Sequence, residues 1–412
     1  MGFWIRPYST QRAIVRASNN LTSGIVGLAN GGKVTFFQAI TKSTLGNPAN
    51  YPFANIDPEE AKVLVPSEHL DHLQKLYGSR KKIPATLTVY DIAGLTRNAS
   101  RGEGLGNKFL GDIRLVDGIY SVVRGFRDDS ITHIEGSVDP IRDLSVVQDE
   151  LVLKDLEWLE AGREKLTRKL GRTAKSSLDH KQMQDELALL AQLEEFLYEG
   201  RRIAHFKQNW TKEEVDTLGQ YNFLTAKPTL VLLNSSPRDY LLQQNEYLDE
   251  VSKWIDQYSP GDEVLIFSAE YETRYNEFAS TSDWEGLQRY CSELAGGAAI
   301  KAGALPYALP SIILKMRQLL RLISYYTCGP EESRQWTIQQ GTRAPQAAGV
   351  IHSDLEKTFI NASVIKYDDL RDASHPIDES ALRRLGKIKR CGKDYVVEDG
   401  DVVHFRAAAG KN

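Results

Sequence analysis

A glycine-rich segment near the N-terminus constrains this chain more than any other feature. Residues 27–33 read Gly-Leu-Ala-Asn-Gly-Gly-Lys, the first seven positions of a phosphate-binding P-loop. The segment follows an apolar run at 24–26 and precedes a run with helical character at 33–40. Glycines let the backbone fold around phosphate oxygens, so that N–H groups and a helix N-terminus face the anion. This strand-loop-helix context favours phosphate binding over a plain structural turn, with Lys33 reaching the β- and γ-phosphates.

Four further β-rich runs follow the P-loop, at 86–90, 118–123, 229–233 and 264–267. Helical stretches separate them, and this alternation predicts an α/β fold with a parallel sheet and helices on both faces. Residues 145–204 interrupt the alternation: they contain no proline, and their leucines recur at helical spacing. We therefore expect two antiparallel helices, inserted into the sheet domain, with a turn near 171–177.

The predicted turn of this hairpin is basic. It contains Arg163, Lys165, Arg168, Lys169, Arg172 and Lys175. A solvated tip and a phosphate-contacting tip both stay open as interpretations. A second basic run in the tail has the same two interpretations and contains Arg383, Arg384, Lys387, Lys389, Arg390 and Lys393.

The C-terminal part reads as a separate, β-rich domain. Residues 295–310 are rich in alanine and glycine, with Pro306 and Pro310, and predict a domain joint. Near the end, runs at 395–397 and 402–405 flank the dipeptide Asp399-Gly400. Asp-Gly between β-rich runs is typical of a tight turn, so we expect a terminal β-hairpin.

Composition excludes several classes of protein. The 412 residues include 51 basic and 55 acidic side chains, a net charge of −4 that disfavours general coating of nucleic acid. No apolar run approaches the length of a membrane span. The three cysteines lie far apart, which excludes a disulfide scaffold and a C-x-x-C zinc site and fits a reducing compartment.

The first 22 residues form a leader that contains Arg6, Arg12 and Arg16, and the first acid in the chain is Asp57. An organelle transit peptide and a short leader before the first strand both fit this composition. We expect a cytoplasmic protein. A mitochondrial location is the alternative, which applies if the leader is a transit peptide.

Three parts of the sequence bear on metal-dependent hydrolysis. The eighth P-loop position normally holds Ser or Thr, whose hydroxyl binds Mg²⁺, but here it is Val34. Thr35 follows, rotated by about 100° around the helix and so not aimed at the same metal position. Asp91-Ile92-Ala93-Gly94 ends the second β-rich run, where a Walker-B acid and a γ-phosphate-contacting glycine belong. Leu95 then occupies the position of the water-orienting glutamine of Ras-like enzymes.

With these motifs, the chain resembles the Obg-like ATPase (YchF) family of translation-factor-class P-loop proteins from about residue 19 to the C-terminus. The matching segments are 19–21, 23–28, 36–40, 45–54, 91–95, 102–107, 135–140, 341–349 and 397–401. The resemblance implies a P-loop NTPase G domain at 23–144 and 220–305 and an inserted antiparallel helical hairpin at 145–219. It also implies a C-terminal ubiquitin-like β-grasp (TGS) domain at 321–408.

The resemblance further implies ATP as the preferred nucleotide, sometimes GTP, with slow hydrolysis and association with the ribosome through the large subunit or its rRNA. It assigns nucleotide contacts to Asn30, Gly31, Gly32, Lys33, Val34, Thr35, Asn234, Ser268 and Ala269. Catalytic roles fall to Lys33, to Asp91, which would hold Mg²⁺ through water, and to Gly94. An apolar residue such as Leu95 is ordinary for the family.

The departures from the family pattern concern the metal and the base. The family usually has Ser at position 34 and Thr at position 55, where this chain has Val34 and Asn55. Asn55 can offer only an amide oxygen as a metal ligand. Residues 234–239 read Asn-Ser-Ser-Pro-Arg-Asp, in which Asp239 lies two positions too late to read guanine, so we interpret it as a loop cap. Two function classes stay open: a slow ATPase with impaired hydrolysis, and a nucleotide-binding scaffold. The oligomeric state also stays open.

Overall fold

The computed structural model describes residues 18–42, 60–92, 106–128, 131, 133, 135–175, 177–207, 210–298 and 305–408. The chain divides into two compact units. The first comprises the described residues within 22–61 and 89–312, and the second those within 17–21, 62–88 and 313–412. Most of the predicted leader lies outside the described residues.

The strands and helices alternate through the first unit and become strand-rich in the second. The strands are β1 (Thr22–Val26), β2 (Glu60–Leu64), β3 (Lys81–Ile83), β4 (Thr86–Asp91), β5 (Gly118–Arg124), β6 (Thr229–Asn234), β7 (Glu263–Phe267), β8 (Leu322–Cys328), β9 (Glu332–Gln339), β10 (Phe359–Ile365), β11 (Lys389–Cys391) and β12 (Val402–Ala407). The helices are α1 (Lys33–Thr41), α2 (Glu68–Tyr77), α3 (Gly106–Leu115), α4 (Pro140–Leu170), α5 (Leu178–Tyr198), α6 (Lys212–Tyr221), α7 (Pro237–Leu241), α8 (Leu248–Tyr258), α9 (Ala269–Ser280), α10 (Trp284–Ala295), α11 (Leu309–Leu319), α12 (Ala344–Ile351), α13 (Ser353–Lys357) and α14 (Glu379–Arg384).

The first sheet has the strand order β2-β4-β1-β5-β6-β7 within the described residues. Strands β1, β5, β6 and β7 pair in parallel, with Ile25 opposite Tyr120 and Val231 opposite Val264. Every residue of β5 and β6 is buried, as expected for central strands covered on both faces. The predicted α/β fold with a parallel sheet is therefore confirmed.

Helices α4 and α5 form the predicted hairpin. Asp139 caps α4, since its carboxylate accepts a hydrogen bond from the backbone N–H of Arg142 at 3.0 Å, and Pro140 occupies the first turn, where no N–H is needed. The facing leucines Leu159, Leu190 and Leu193 are fully buried between the helices. Burying each contributes roughly 2 kcal/mol, which holds the two helices together.

A buried carboxylate joins the hairpin to the strand that follows it. Asp155 of α4 accepts hydrogen bonds from the backbone N–H groups of Leu224 and Thr225, at 2.8 and 2.7 Å, and from the Thr225 hydroxyl at 2.7 Å. Burial raises the pKa of Asp155 to about 6, against the opposing effect of these donors. The base of the hairpin is thereby fixed just before β6.

The second sheet has the order β11-β10-β12-β8-β9-β3 within the described residues. Strands β8 and β9 pair antiparallel, β10 pairs antiparallel with β11 and β12, and β12 pairs in parallel with β8. Helix α12 covers this sheet, and its Ala344, Ala347 and Ala348 pack with Tyr325 and Phe359. Small residues allow the helix to approach the strands closely.

The predicted terminal hairpin is wrong. Strand β12 pairs with β10 and β8 rather than with residues 395–397. Val396 instead makes an isolated antiparallel bridge with Arg343. The carboxylate of Asp401 accepts hydrogen bonds from the Tyr395 hydroxyl at 2.6 Å and from the backbone N–H of Glu398 at 3.0 Å. These bonds hold the segment before β12 in a loop.

Residues 62–88 belong to the second unit, although the sequence-based boundary assigns 23–144 to the G domain. The physical reason is that β3 pairs in parallel with β9, while α2 packs its leucines against the second sheet. None of the helices formed by the described residues is both long enough and apolar enough to cross a bilayer.

Candidate nucleotide-binding site

The loop between β1 and α1 begins at Gly27, where any side chain would clash with the neighbouring strand. A Cβ atom added at Gly27 would lie 2.3 Å from the carbonyl oxygen of Val122 on β5. Strands β1 and β5 are paired neighbours, so their separation is fixed by the sheet. Gly27 therefore lets the chain leave β1 directly beside β5 and turn toward the loop.

The middle of the loop bends through two left-handed residues. Asn30 has φ 63°, and Gly32, which precedes the first residue of α1, has φ 95°. A Cβ atom at Gly32 would lie 2.2 Å from Nδ2 of Asn234, whereas one at Gly31 would approach no atom closer than 3.4 Å. Of these two adjacent glycines, the fold thus requires Gly32, whereas Gly31 has room for a side chain.

Lys33 is held inside the loop. Its side chain is buried, and Nζ donates a hydrogen bond to the carbonyl oxygen of Leu28 at 2.7 Å. Burial lowers the pKa of Lys33 to about 8, and the Asp91 carboxylate at the end of β4 opposes this shift. The amine is therefore placed within the loop where phosphate oxygens are predicted to bind.

Val34 and Thr35 occupy the first turn of α1 and differ in exposure. Val34 is 58% exposed, and Thr35 is half-buried. An isopropyl group at this position presents no oxygen atom to a cation. Asp91 is described at the end of β4, whereas Asn55, Gly94 and Leu95 lie outside the described residues.

The donor set of the described site does not fit the usual Mg²⁺ arrangement. Val34 replaces the hydroxyl ligand, and Asp91 contributes the only carboxylate among the predicted site residues. Within the described part of the chain, no group of three or more His, Cys, Asp or Glu residues could hold a metal ion. Magnesium binding therefore stays a prediction.

Asn234, at the end of β6, joins the two loops of the site. Its Nδ2 donates to the carbonyl oxygen of Gly31 at 3.1 Å, and its Oδ1 accepts from the backbone N–H of Ala269 at 3.0 Å. The side chain is buried. Because an amide NH₂ can donate two hydrogen bonds, the bond to Gly31 does not exhaust its donors. Contact with an adenine base stays a prediction.

The residues around this amide are fixed by helix caps. Ser268 caps α9, since its hydroxyl accepts from the backbone N–H of Tyr271 at 3.4 Å. Ser236 caps α7 in the same way, and its hydroxyl donates to the carboxylate of Asp239 at 2.8 Å. Asp239 lies in the first turn of α7 and supports this cap, so the residue that caps the helix is Ser236 and not, as interpreted from sequence, Asp239.

A buried polar cluster lies behind the P-loop, lining a small cavity with Leu28 and Gly31. His133 Nε2 lies 2.8 Å from the carboxylate of Asp143, and the backbone N–H of Glu135 donates to His133 Nδ1 at 3.1 Å. Since Nδ1 accepts a hydrogen bond, the proton is on Nε2 and is donated to Asp143. Both ring nitrogens of His133 are engaged by the protein, so this histidine has a structural role behind the P-loop.

Sequence reasoning missed Arg124, which ends β5 and is 2% exposed. Its guanidinium donates to the carbonyl oxygens of Phe126, Asp128 and Ile131 at 3.2, 3.0 and 3.0 Å. It therefore organises the loop that leads to His133. A single arginine at the end of a strand is not part of any sequence motif. Its role is visible only from its burial in the structure.

Comparisons with known proteins agree with this geometry. Residues 22–153 match the family model described as 50S ribosome-binding GTPase, and residues 322–408 match the C-terminal model of YchF GTPases, described as a protein of unknown function. The chain is 56% identical to an Obg-like ATPase homolog of Saccharomyces cerevisiae over 96% of each chain.

Two further relatives extend the match. Human Obg-like ATPase 1 is 40% identical, over 95% of this chain and 94% of that protein. The solved structure of the Schizosaccharomyces pombe YchF GTPase superimposes with a TM-score of 0.82 at 46% identity. That match covers 95% of this chain and 99% of the other.

Replacing Gly32 with alanine should damage the site, whereas the same change at Gly31 should not. Gly32→Ala forces an L residue to φ 95° and pushes its Cβ against Asn234. We expect the free energy of unfolding to fall by roughly 2–4 kcal/mol and binding of a fluorescent ATP analogue to be lost. Gly31→Ala, the matched control, should change stability by less than about 1 kcal/mol. Equal effects in urea denaturation would contradict this assignment.

The affinity for ATP should fall as the pH rises through the pKa of Lys33. With that pKa near 8, only about a tenth of the amines remain charged at pH 9, and only the charged form attracts phosphate. We therefore expect affinity to drop about tenfold between pH 7 and pH 9. The control Lys33→Arg keeps its charge and should give a flat profile. Constant affinity in the parent protein would show that Lys33 does not carry the phosphate contact.

Proposed function

Because this chain belongs to the Obg-like ATPase (YchF) family, we propose that it binds ATP in preference to GTP, hydrolyses it slowly and acts as a ribosome-associated regulator. The observation that carries the proposal is the placement of Lys33. Its amine is buried within the loop, 2.7 Å from the carbonyl oxygen of Leu28, at the N-terminus of α1. A cation and a helix N-terminus at one loop favour a phosphate group.

The preference for ATP is supported by the loop after β6. Pro237 stands where a guanine-reading carboxylate is expected, and the carboxylate of Asp239 is bonded to the Ser236 hydroxyl in the first turn of α7. A site that lacks this carboxylate loses a contact that favours guanine. Asn234 retains hydrogen-bonding capacity near the base loop, at Ser268 and Ala269. GTP remains an acceptable ligand because nothing described at this loop excludes it.

Slow hydrolysis is supported by the chemistry of Val34. Its exposed isopropyl group replaces a hydroxyl at the start of α1, and the sequence places Asn55 at the second hydroxyl position. When bound, Mg²⁺ neutralises charge on the phosphates. Lys33 and the backbone N–H groups of the loop bind and orient the phosphates without it. These groups therefore support nucleotide binding, whereas Val34 disfavours hydrolysis of the bound nucleotide.

Association with the ribosome is supported by the charge of the hairpin turn. Lys165, Lys169, Arg172 and Lys175 are exposed there, while Arg163 forms an ion pair with Glu194. Exposed cations at the end of a long helical pair suit contact with RNA phosphates. The family model that matches residues 22–153 is described as a ribosome-binding GTPase, which favours the large subunit as the partner.

The second candidate function is a nucleotide-binding scaffold in translation or stress response that does not turn over its ligand. The same exposed Val34 favours it, because the described site offers a cradle for phosphates but no hydroxyl at this metal position. The two functions differ in one measurable property, which is the effect of Mg²⁺ on binding and turnover.

Titration with fluorescent ATP and GTP analogues, each in Mg²⁺ and in EDTA, should show tight ATP binding in both buffers. With Val34 in place we expect Mg²⁺ to improve affinity by less than tenfold, or about 1.4 kcal/mol. The control Val34→Ser should gain metal dependence. Stronger metal dependence in the parent would mean that Asn55 or water replaces the hydroxyl, and it would favour the ATPase over the scaffold.

Restoring both hydroxyls should accelerate phosphate release. The double variant Val34→Ser with Asn55→Thr supplies two oxygen ligands, and metal-borne charge stabilisation is typically worth several kcal/mol in the transition state. We expect single-turnover hydrolysis to rise by at least about tenfold, whereas Val34→Ala should leave it unchanged. A double variant no faster than its parent would refute the role of these positions.

A further inference from the structure

The helices that follow the two loops of the candidate site are neighbours within the first unit. Helix α1 begins directly after the P-loop, and α9 begins directly after Ser268, which together with Ala269 is called here the base loop. The strands that precede these helices, β1 and β7, belong to one parallel sheet, so both helices start at the same edge of that sheet. Residues of α1 and α9 are in contact. The spacing of the two loops therefore depends on how these helices are held together.

The first attachment lies close to the loops. Phe36 of α1 is fully buried, and its ring meets the ring of Phe267 edge to face, with centroids 5.1 Å apart. Phe267 ends β7 and directly precedes the base loop. The amide of Asn234, which bonds to both Gly31 and Ala269, lies at the same end of the helices. The aromatic pair and this amide fix the start of α1 against the base loop.

The second attachment lies at the far end of α1. Nδ2 of Asn276 on α9 donates a hydrogen bond to the carbonyl oxygen of Ala39 on α1 at 2.9 Å, and both residues are buried. Ala39 belongs to the last turn of α1, where carbonyl groups have no acceptor role left within the helix. A buried carbonyl oxygen without a donor is costly. Asn276 therefore satisfies the end of α1 from the neighbouring helix.

The two attachments are equally far apart along both helices. Ala39 follows Gly32 by seven residues, and Asn276 follows Ala269 by seven residues. At about 1.5 Å per residue, each helix extends about 10 Å from its loop to this hydrogen bond. Contacts at one end alone would let the helices pivot around that end, whereas contacts at both ends prevent it. The bond from Asn276 thus fixes the angle between α1 and α9, and with it the separation of the P-loop from the base loop.

The other polar atom of Asn276 is bonded as well. Its Oδ1 accepts a hydrogen bond from the hydroxyl of Tyr307 at 3.0 Å. The ring of Tyr307 stacks on that of Tyr275, with centroids 4.2 Å apart. With its oxygen bonded to Tyr307, the amide is oriented with Nδ2 toward α1. One side chain therefore makes two hydrogen bonds, of which only one reaches the helix of the P-loop.

We propose that Asn276 is a positioning residue for ATP, because it holds the P-loop and the base loop at the separation that a nucleotide spans. This proposal rests on the nucleotide binding proposed above. A ligand that contacts both loops gains affinity from a fixed spacing, since its second end then binds without further ordering of the protein. Inorganic tripolyphosphate contacts the P-loop alone and gains nothing from that spacing. Asn276 therefore contributes to ATP affinity without touching the nucleotide.

Competition binding on the full chain, with ATP and with inorganic tripolyphosphate in the same EDTA buffer, tests this role. The variant Asn276→Leu keeps the volume of the side chain but cannot donate to Ala39. We expect the ratio of ATP affinity to tripolyphosphate affinity to fall by at least about fivefold relative to the parent. A residue that only stabilises the fold would change both affinities by the same factor. An unchanged ratio therefore overturns the proposal.

The matched control is Tyr307→Phe, which removes the other hydrogen bond of Asn276 and keeps the stacking on Tyr275. Its ratio should stay within about twofold of the parent, because the bond to α1 is intact. A fall as large as that of Asn276→Leu would overturn the role of the bond to Ala39. Urea denaturation checks that each variant folds, and Asn276→Ser replaces Asn276→Leu if the latter does not. The serine hydroxyl is too short to reach Ala39, so the same fall in ratio is expected.

The same titrations separate this proposal from the proposed function. A parent protein that binds neither ligand refutes the proposed nucleotide binding, and the role of Asn276 with it. A parent that binds both ligands, together with a folded variant of unchanged ratio, overturns the role of Asn276 alone.

Discussion

The buried amide of Asn234 is the interaction on which the nucleotide site depends. Its Nδ2 donates a hydrogen bond to the carbonyl oxygen of Gly31, and its Oδ1 accepts one from the backbone N–H of Ala269. One side chain therefore fixes both the phosphate loop and the base loop. The same amide lies where a Cβ atom of Gly32 would be. The glycine requirement of the P-loop therefore arises from β6, about two hundred positions away in sequence, as well as from the loop's own turn.

The groups expected to bind phosphate and those expected to bind metal differ in their sensitivity to single substitutions. The phosphate cradle consists of backbone N–H groups and one lysine, and its shape depends on glycines that are all present. The metal ligands expected from the family pattern are side-chain hydroxyls, each of which a single substitution removes. Val34 therefore changes the chemistry at the start of α1 while β1, α1 and Lys33 keep their arrangement. Under the proposed function, turnover therefore falls while nucleotide binding is retained.

Most of the first sheet could be predicted from sequence because its central strands are continuous apolar runs, as in Thr229–Asn234, with polar residues at their ends. The hairpin could be predicted because its leucines keep helical spacing over many turns. The attachment of residues 67–85 to the second sheet could not be predicted, since Lys81–Ile83 is a three-residue strand whose partner lies far away in sequence. The terminal hairpin failed for a related reason: Asp399-Gly400 suggested a local pairing, but Asp401 binds Tyr395 and leaves β12 to distant strands. In the candidate site, Lys33 and Gly32 could be predicted because they belong to the P-loop motif. Arg124 could not, because it bonds to backbone carbonyl oxygens, which leave no pattern in the sequence.

The attachment of residues 67–85 to the second sheet has a consequence for synthesis of the protein. Ser79 and its partner Ser333 are 254 positions apart, so the ribosome must add that length before the second sheet can accept the segment. At about 5–20 residues per second this takes roughly 10–50 s, during which Leu70, Leu73 and Leu76 have no sheet to cover them. The nascent chain thus carries an uncovered apolar helix face through most of its elongation.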